Sequence, residues 1–271
     1  MAASFAPAAF SYLGSRIAPE RRPLSITVLT SSFLASAVIG QVAAQTITSS
    51  LDWRWFFWLG AVALVLTAVA IRLVFLPDLP QAGASGNPVA ALARLFLRVP
   101  ALVLLVATLM ILGPMIALYT AIGSSGLTGG NALLALRASA LPALIWAPFG
   151  NRWLSRFAPH RRLIAALIIA GIAAAAVALL PGSVIGTGIA MFIVAGAAAV
   201  SAPAMIQTIT GYAPEQRGSL TALYTCFLFL GASIAPSLVS AASLPATAIT
   251  AGAASLAGAG LVMLTRIRFT K

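Results

Sequence analysis

The chain has 271 residues, of which 61% are hydrophobic and only 7% charged, against about 25% charged in an ordinary soluble domain. A water-facing surface cannot be built from that composition, so the sequence describes an integral membrane protein. Its net charge of +12 therefore has to be read from the positions of the arginines and is no pointer to nucleic acid.

Residues 2 to 14 are apolar but cover only about 20 Å as a helix, so they read as the truncated end of a span. No cleaved leader is expected, because residues 1 to 15 lack the basic stretch that opens one. Runs long enough to cross about 30 Å of hydrocarbon follow near 24–49, 53–76, 99–122 and 129–149. Four more lie near 162–181, 184–211, 218–241 and 245–265. Helix is predicted throughout, because lipid-exposed backbone must satisfy its hydrogen bonds within the segment and no strand-like alternation is present. Trp53, Trp55, Phe56, Phe57 and Trp58 sit where a loop meets a helix and are expected to anchor at the headgroup level. The stretch from Pro77 to Pro100, rich in proline and glycine, is predicted to link two halves. The expected domains are thus 1–77, a linker at 78–98, and a six-helix bundle at 99–271.

Two features fix the organisation. Ala18-Pro19-Glu20 and Arg22 recur 195 residues later as Ala213-Pro214-Glu215 and Arg217, and Thr30/Thr225, Ala37/Ala232 and Ile39/Ile234 match in the same ungapped register. A repeat this long suits the duplicated halves of secondary transporters. Of the 16 Lys and Arg residues, all but Arg54 and Arg137 map to one side. The positive-inside rule makes that side cytoplasmic, with the C-terminus inside and the loops near 50–54, 123–131, 181–187 and 241–247 outside.

Polar residues within spans are penalised by hydrocarbon unless they face a cavity or another helix. Gln41, Gln45, Tyr119, Arg137, Gln207 and Tyr224, with Thr120, Thr210 and Thr225, are the candidates for a substrate cavity. Arg137 stands out, about 10 Å inside the outer boundary if helix begins near Gly129, with no acidic residue in any span. Its partner is expected to be a substrate anion, a carbonyl, a helix lost from the chain or water, and the competing reading is an arginine that snorkels outward. Three spans, 58–76, 163–180 and 248–264, carry so few polar residues that each could face lipid all round. Glu20 with Arg22, and Glu215 with Arg217, fall at helix starts, where they fit either a capping role or a gate. Gly40, Gly231 and Pro236 are expected to serve packing or a kink.

Enzymatic chemistry has no visible basis. His160 is the only histidine, Cys226 the only thiol, and the four acids Glu20, Asp52, Asp78 and Glu215 lie in loops, so neither a metal site nor an acid-base pair assembles. The glycines at 123, 126, 129 and 130 lack the lysine of a phosphate-binding loop. No cofactor is expected.

The motifs, their order and their sidedness resemble the major facilitator superfamily, most closely its twelve-span drug and sugar efflux branch. Pro19-Glu20-x-Arg22 is similar to that family's loop between helices 4 and 5, and Leu51 to Phe57 to its entry into helix 6. Gly150 to Arg162 is similar to the loop between helices 8 and 9, keeping Gly150, Arg156, Arg161 and Arg162 but with Ser155 where an aspartate is usual. Residues 212–236 resemble the corresponding loop and helix 11, whose Gly231 and Pro236 are retained, while the related stretch of helix 5 reads Ser36 to Gly40-Gln41.

The resemblance implies an all-α polytopic fold starting within helix 4, without helices 1 to 3, and with about eight full spans and one partial. It implies a secondary transporter of small organic solutes, efflux-like and proton-coupled, in the inner membrane of a bacterium. Its partners would be the small-molecule substrate, protons and the lipid bilayer. With only two complete helices and part of a third in the first bundle, this chain by itself is not expected to complete alternating access. The alternative is a non-transporting membrane remnant or interaction subunit.

Overall fold

A computed structural model describes residues 5, 8–10, 12–13, 16–18, 20–75, 95, 98–126, 135–180, 182–212 and 216–269. Most of the expected linker 78–98 and all of Glu215 lie outside these. The described helices are α1 Arg22–Ser50, α2 Arg54–Val74, α3 Val99–Ser124, α4 Leu141–Leu154, α5 Pro159–Ala176, α6 Val184–Tyr212, α7 Arg217–Val239 and α8 Leu244–Phe269. A 3-10 turn at Val177–Leu179 extends α5. Seven of these segments are long and apolar enough to cross a membrane; the protein is an all-α polytopic membrane protein.

The N-cap residues Arg21, Trp53, Arg98, Ala158 and Gln216 make no side-chain capping bond, although at the start of α2 the Arg54 N–H donates to the neighbouring Asp52 Oδ1 at 2.9 Å. Proline in the first turn takes that place in α1, α3 and α5, where its missing N–H is no loss. Hydroxyls inside the spans fold back on their own helices. Thr120 donates to the Ile116 carbonyl at 2.9 Å, Thr210 to Ile206 at 2.7 Å and Thr225 to Thr221 at 2.9 Å. A threonine satisfied in this way needs no cavity to justify its place in hydrocarbon.

The span expected at 129–149 is where the chain departs most from regularity. Residues 127–134 are outside the described set, 135–138 are helical, a turn occupies 139–140, and α4 then runs for 14 residues. Pro142 explains the break: it has no N–H to offer the Ala138 carbonyl, and its ring crowds that oxygen. Ser139 turns inward on the interrupted ladder, its hydroxyl donating to the Leu136 carbonyl at 2.7 Å.

Of the three spans expected to face lipid all round, α2 has no buried residue, but the other two do not stand alone. Helix α5 buries Leu163, Ala166, Leu167, Ala170, Gly171 and Ala174. A Cβ on Gly171 would meet the Gly252 carbonyl of α8 at 3.0 Å, and one on Gly252 would meet the Gly171 carbonyl at 2.8 Å. Backbone therefore touches backbone across α5 and α8, the way helices associate where lipid offers no hydrophobic drive. A second glycine seam joins α3 to α7, where a Cβ on Gly231 would lie 2.5 Å from the Leu109 carbonyl oxygen. At Gly40 nothing lies within 4 Å of the corresponding position, so no close approach accounts for that glycine.

The buried residues fall into two main layers. One, around Leu104, Leu163, Met205, Leu220 and Tyr224, lies toward the ends that carry Arg98, Arg161, Arg162 and Arg217. The other, around Leu118, Tyr119, Leu144, Met191 and Ala248, lies toward the opposite ends. Helix α1 packs on α4 and α6, fastening the first half of the chain to the second.

Candidate functional site

Between the layers, α1, α3, α6 and α7 enclose a cavity of about 60 Å³. That is room for about two waters at liquid density. Its walls include Phe10, Thr30, Phe33, Met115, Tyr224, Thr225 and Phe229. Thr30 and Thr225 are the matched threonines of the internal repeat, and both are buried. Ile39 and Ile234, matched in the same register, are instead both exposed, at 54% and 43%. Equal environments at paired positions mean that α1 and α7 present the same face to the same space. Thr30, Phe33 and Phe10 are cavity residues that inspection of polar content overlooks, since Thr30 bonds within its own helix to Ile26 at 2.8 Å. The signal that could have found Thr30 is its place in the repeat.

The six residues nominated for a cavity do not converge on one point. Gln45, Tyr119 and Arg137 gather at the end of the bundle away from the arginine cluster. The Arg137 Nη1 donates to Gln45 Oε1 at 3.3 Å, joining the segment before α4 to α1. Among the described residues the Tyr119 hydroxyl is buried without a partner. Gln207 and Tyr224 belong to the other layer. Tyr224, wholly buried, donates to the Ala202 carbonyl of α6 at 3.2 Å and so closes the cavity on that side. Gln41 lies on α1, and its side chain is outside the described set.

Gln207 finds a partner that sequence reasoning assigned to a different role. Arg162, only 7% exposed at the start of α5, donates through Nη2 to Gln207 Oε1 at 2.7 Å. A charge-assisted bond of that length ties α5 to α6 at their arginine-rich ends. Pairing explains how an arginine tolerates such burial, and no spacing rule links positions 45 residues apart. Its neighbour Arg161 is exposed, as are Arg217 and Arg156, the last stacked 5.5 Å from the Trp153 ring centroid. Gly150 sits inside α4 with nothing within 4 Å of a Cβ.

At the first copy of the repeated motif, Glu20 is exposed and no ion pair to Arg22 forms among the described residues. The Arg22 Nε donates instead to the Ile17 carbonyl at 2.9 Å, bracing the turn that leads into α1. Pro236 lies within α7, where it cannot donate to the Ala232 carbonyl. Among the described residues no group of three or more histidine, cysteine or acidic side chains comes together.

The sequence profile of the Major Facilitator Superfamily matches residues 1–236. No curated protein sequence matches the chain. Among solved structures it is similar to the transporter FucP in the outward conformation, with a TM-score of 0.71 and 15% identity over 96% of this chain and 72% of that one. It is likewise similar to a variant of the E. coli fucose:proton symporter FucP, with a TM-score of 0.70 and 15% identity over 96% and 73%. With a profile that spans most of its length and helices that superpose on a solved transporter, the chain belongs to the major facilitator superfamily.

Proposed function

We propose that this chain carries out, or forms the larger part of, secondary transport of small organic solutes by alternating access. The carrying observation is the cavity to which repeat-related helices contribute matched threonines, with separate polar groups toward either membrane face. Alternating access needs two related bundles that rock about a site between them, and α1 against α4 and α6 is such a contact. In the proposal the Arg162–Gln207 bond and the Arg22 turn act at the cytoplasmic side, Arg137 at the outer side. The finer reading is efflux of drug- or sugar-like solutes driven by a proton gradient across a bacterial inner membrane.

The test is flux in proteoliposomes with a panel of labelled sugars and lipophilic amines, with and without an imposed pH gradient. It is run on the chain alone and on a form extended by three further helices. Gradient-dependent accumulation abolished by a protonophore supports the proposal. Passive, gradient-insensitive leakage from both forms would favour a membrane subunit without transport activity.

A further inference from the structure

A groove of about 510 Å³ lies between the end of α4 and the neighbouring helices α5 and α6, and it shares no wall with the central cavity. That volume is within the roughly 300–1,000 Å³ of small-molecule sites. The walls are apolar: Phe157 just beyond α4, Ala165 and Ile169 on α5, and Ala197 and Val200 on α6. The polar side chains that line it are Arg161 and Arg162. On α5 the lining residues Arg161, Ala165 and Ile169 recur every fourth position, so one stripe begins with a guanidinium and continues as apolar surface for about 12 Å. Phe157, Ala165 and Ile169 are exposed, so the groove opens on the outside of the bundle. In a membrane-spanning helix that outside is lipid.

The charge at the groove's end calls for an anion. The chain has 16 basic residues against four acidic ones, and no acid occurs between Asp78 and Glu215. Arg156 and Arg161 are exposed, while Arg162 is fixed by the neutral Gln207 amide. The first turn of α5 has no acidic residue, so its arginines add to the positive end of the helix dipole instead of cancelling it. An independent feature sets the depth. Trp153, 70% exposed and with Arg156 stacked over its ring, stands one turn before Phe157, and exposed tryptophan beside arginine marks the headgroup level. The groove therefore runs from the headgroups into hydrocarbon, charged at its mouth and apolar beyond. The positive-inside reading puts this end in the cytoplasmic leaflet, whose anionic lipids attract basic segments.

We infer that the groove is a binding site for an anionic phospholipid, its phosphodiester held by Arg161 and one acyl chain lying along Ala165, Ile169 and Val200. Arg162, tied to Gln207, supplies fixed positive charge beside it. A neutral lipid would leave the arginines uncompensated, and a soluble phosphate would leave the apolar walls unused. The site needs only that the chain lie in a membrane, so it stands or falls separately from solute transport.

Lipid retention is measured by native mass spectrometry of the full chain, released from micelles that contain equal amounts of phosphatidylglycerol and phosphatidylcholine with matched acyl chains. Phosphatidylglycerol should be retained about tenfold more strongly or better, since each arginine near the headgroup is worth about fivefold. Arg161→Gln, at an exposed position, should lower phosphatidylglycerol retention about fivefold and leave phosphatidylcholine unchanged. Ala165→Phe keeps every charge but fills the groove, and should bring phosphatidylglycerol down toward phosphatidylcholine. Arg217→Gln, at an exposed arginine of the same end that does not line the groove, should change neither. Equal retention of the two lipids overturns the inference. Equal losses from Arg161→Gln and Arg217→Gln also overturn it, because they show attraction to the whole arginine face and no built site. A phosphatidylglycerol preference that survives Ala165→Phe, or that glycerol phosphate competes away, would reduce the site to a headgroup contact and refute the acyl groove. A dimer that excludes lipid and is dispersed by Ala165→Phe would give the groove to a second copy instead.

Discussion

Replacing Gly231 by alanine adds a single methyl group, and the geometry says where it must go. The new Cβ would stand 2.5 Å from the Leu109 carbonyl oxygen and 2.9 Å from the Leu109 Cα, whereas ordinary contact begins at 3.4 Å. The shortfall is 3.4 − 2.5, or 0.9 Å, and both atoms are helix backbone, so no side chain can rotate away. Helices α3 and α7 must separate by about that distance where they cross. A radial gap of 0.5–1 Å forfeits roughly a quarter to a half of each dispersion contact, and overpacking of this kind costs about 1–3 kcal/mol. Gly40 supplies the matched control, since nothing lies within 4 Å of its Cβ position. There the same substitution should be neutral or gain up to about 1 kcal/mol from helix propensity. Unfolding of the purified chain by SDS titration, followed by circular dichroism, reads both. Gly231→Ala should unfold at lower SDS than the native chain and Gly40→Ala at the same or higher. Equal stability of the two variants would refute the claim that the α3–α7 seam rests on backbone contact.

Arg162→Met alone should destabilise by about 1–3 kcal/mol because it strands the Gln207 amide oxygen, and adding Gln207→Leu should recover most of that loss; additive losses in the same SDS titration would deny the coupling. Arg137→Ala should abolish solute transport with little effect on membrane insertion, while Arg137→Lys should rescue only partly because lysine lacks the planar fork; full flux through the alanine variant would return Arg137 to a snorkelling role. Reporter fusions at Ser85 and Lys271 should report cytoplasm and those at Ser125 and Ser243 the outside, and a cytoplasmic signal at Ser125 would overturn the topology drawn from the arginines.

The sequence by itself determined the membrane class, the positions of most helices and the family. These depend on local quantities that survive without coordinates: twenty-residue apolar runs, a proline-glutamate motif repeated at long spacing, and basic residues all but two of which were expected on one side. It also marked Arg137, because charge in hydrocarbon is costly wherever the chain goes. What it did not determine was pairing. Gln207 and Arg162 were legible as polar residues in separate regions, but only packing of α5 on α6 makes them one bond. Gln45, Tyr119 and Arg137 come from three segments far apart in the chain, and the bond from Arg137 to Gln45 depends on how α1 packs beside the interrupted helix around Pro142. Lipid-facing composition likewise misread α5 and α8, since glycine and alanine serve a lipid surface and a tight helix seam equally well. Thr30 and Thr225 show the boundary most plainly: the repeat aligned them, and the tertiary structure put both against one cavity.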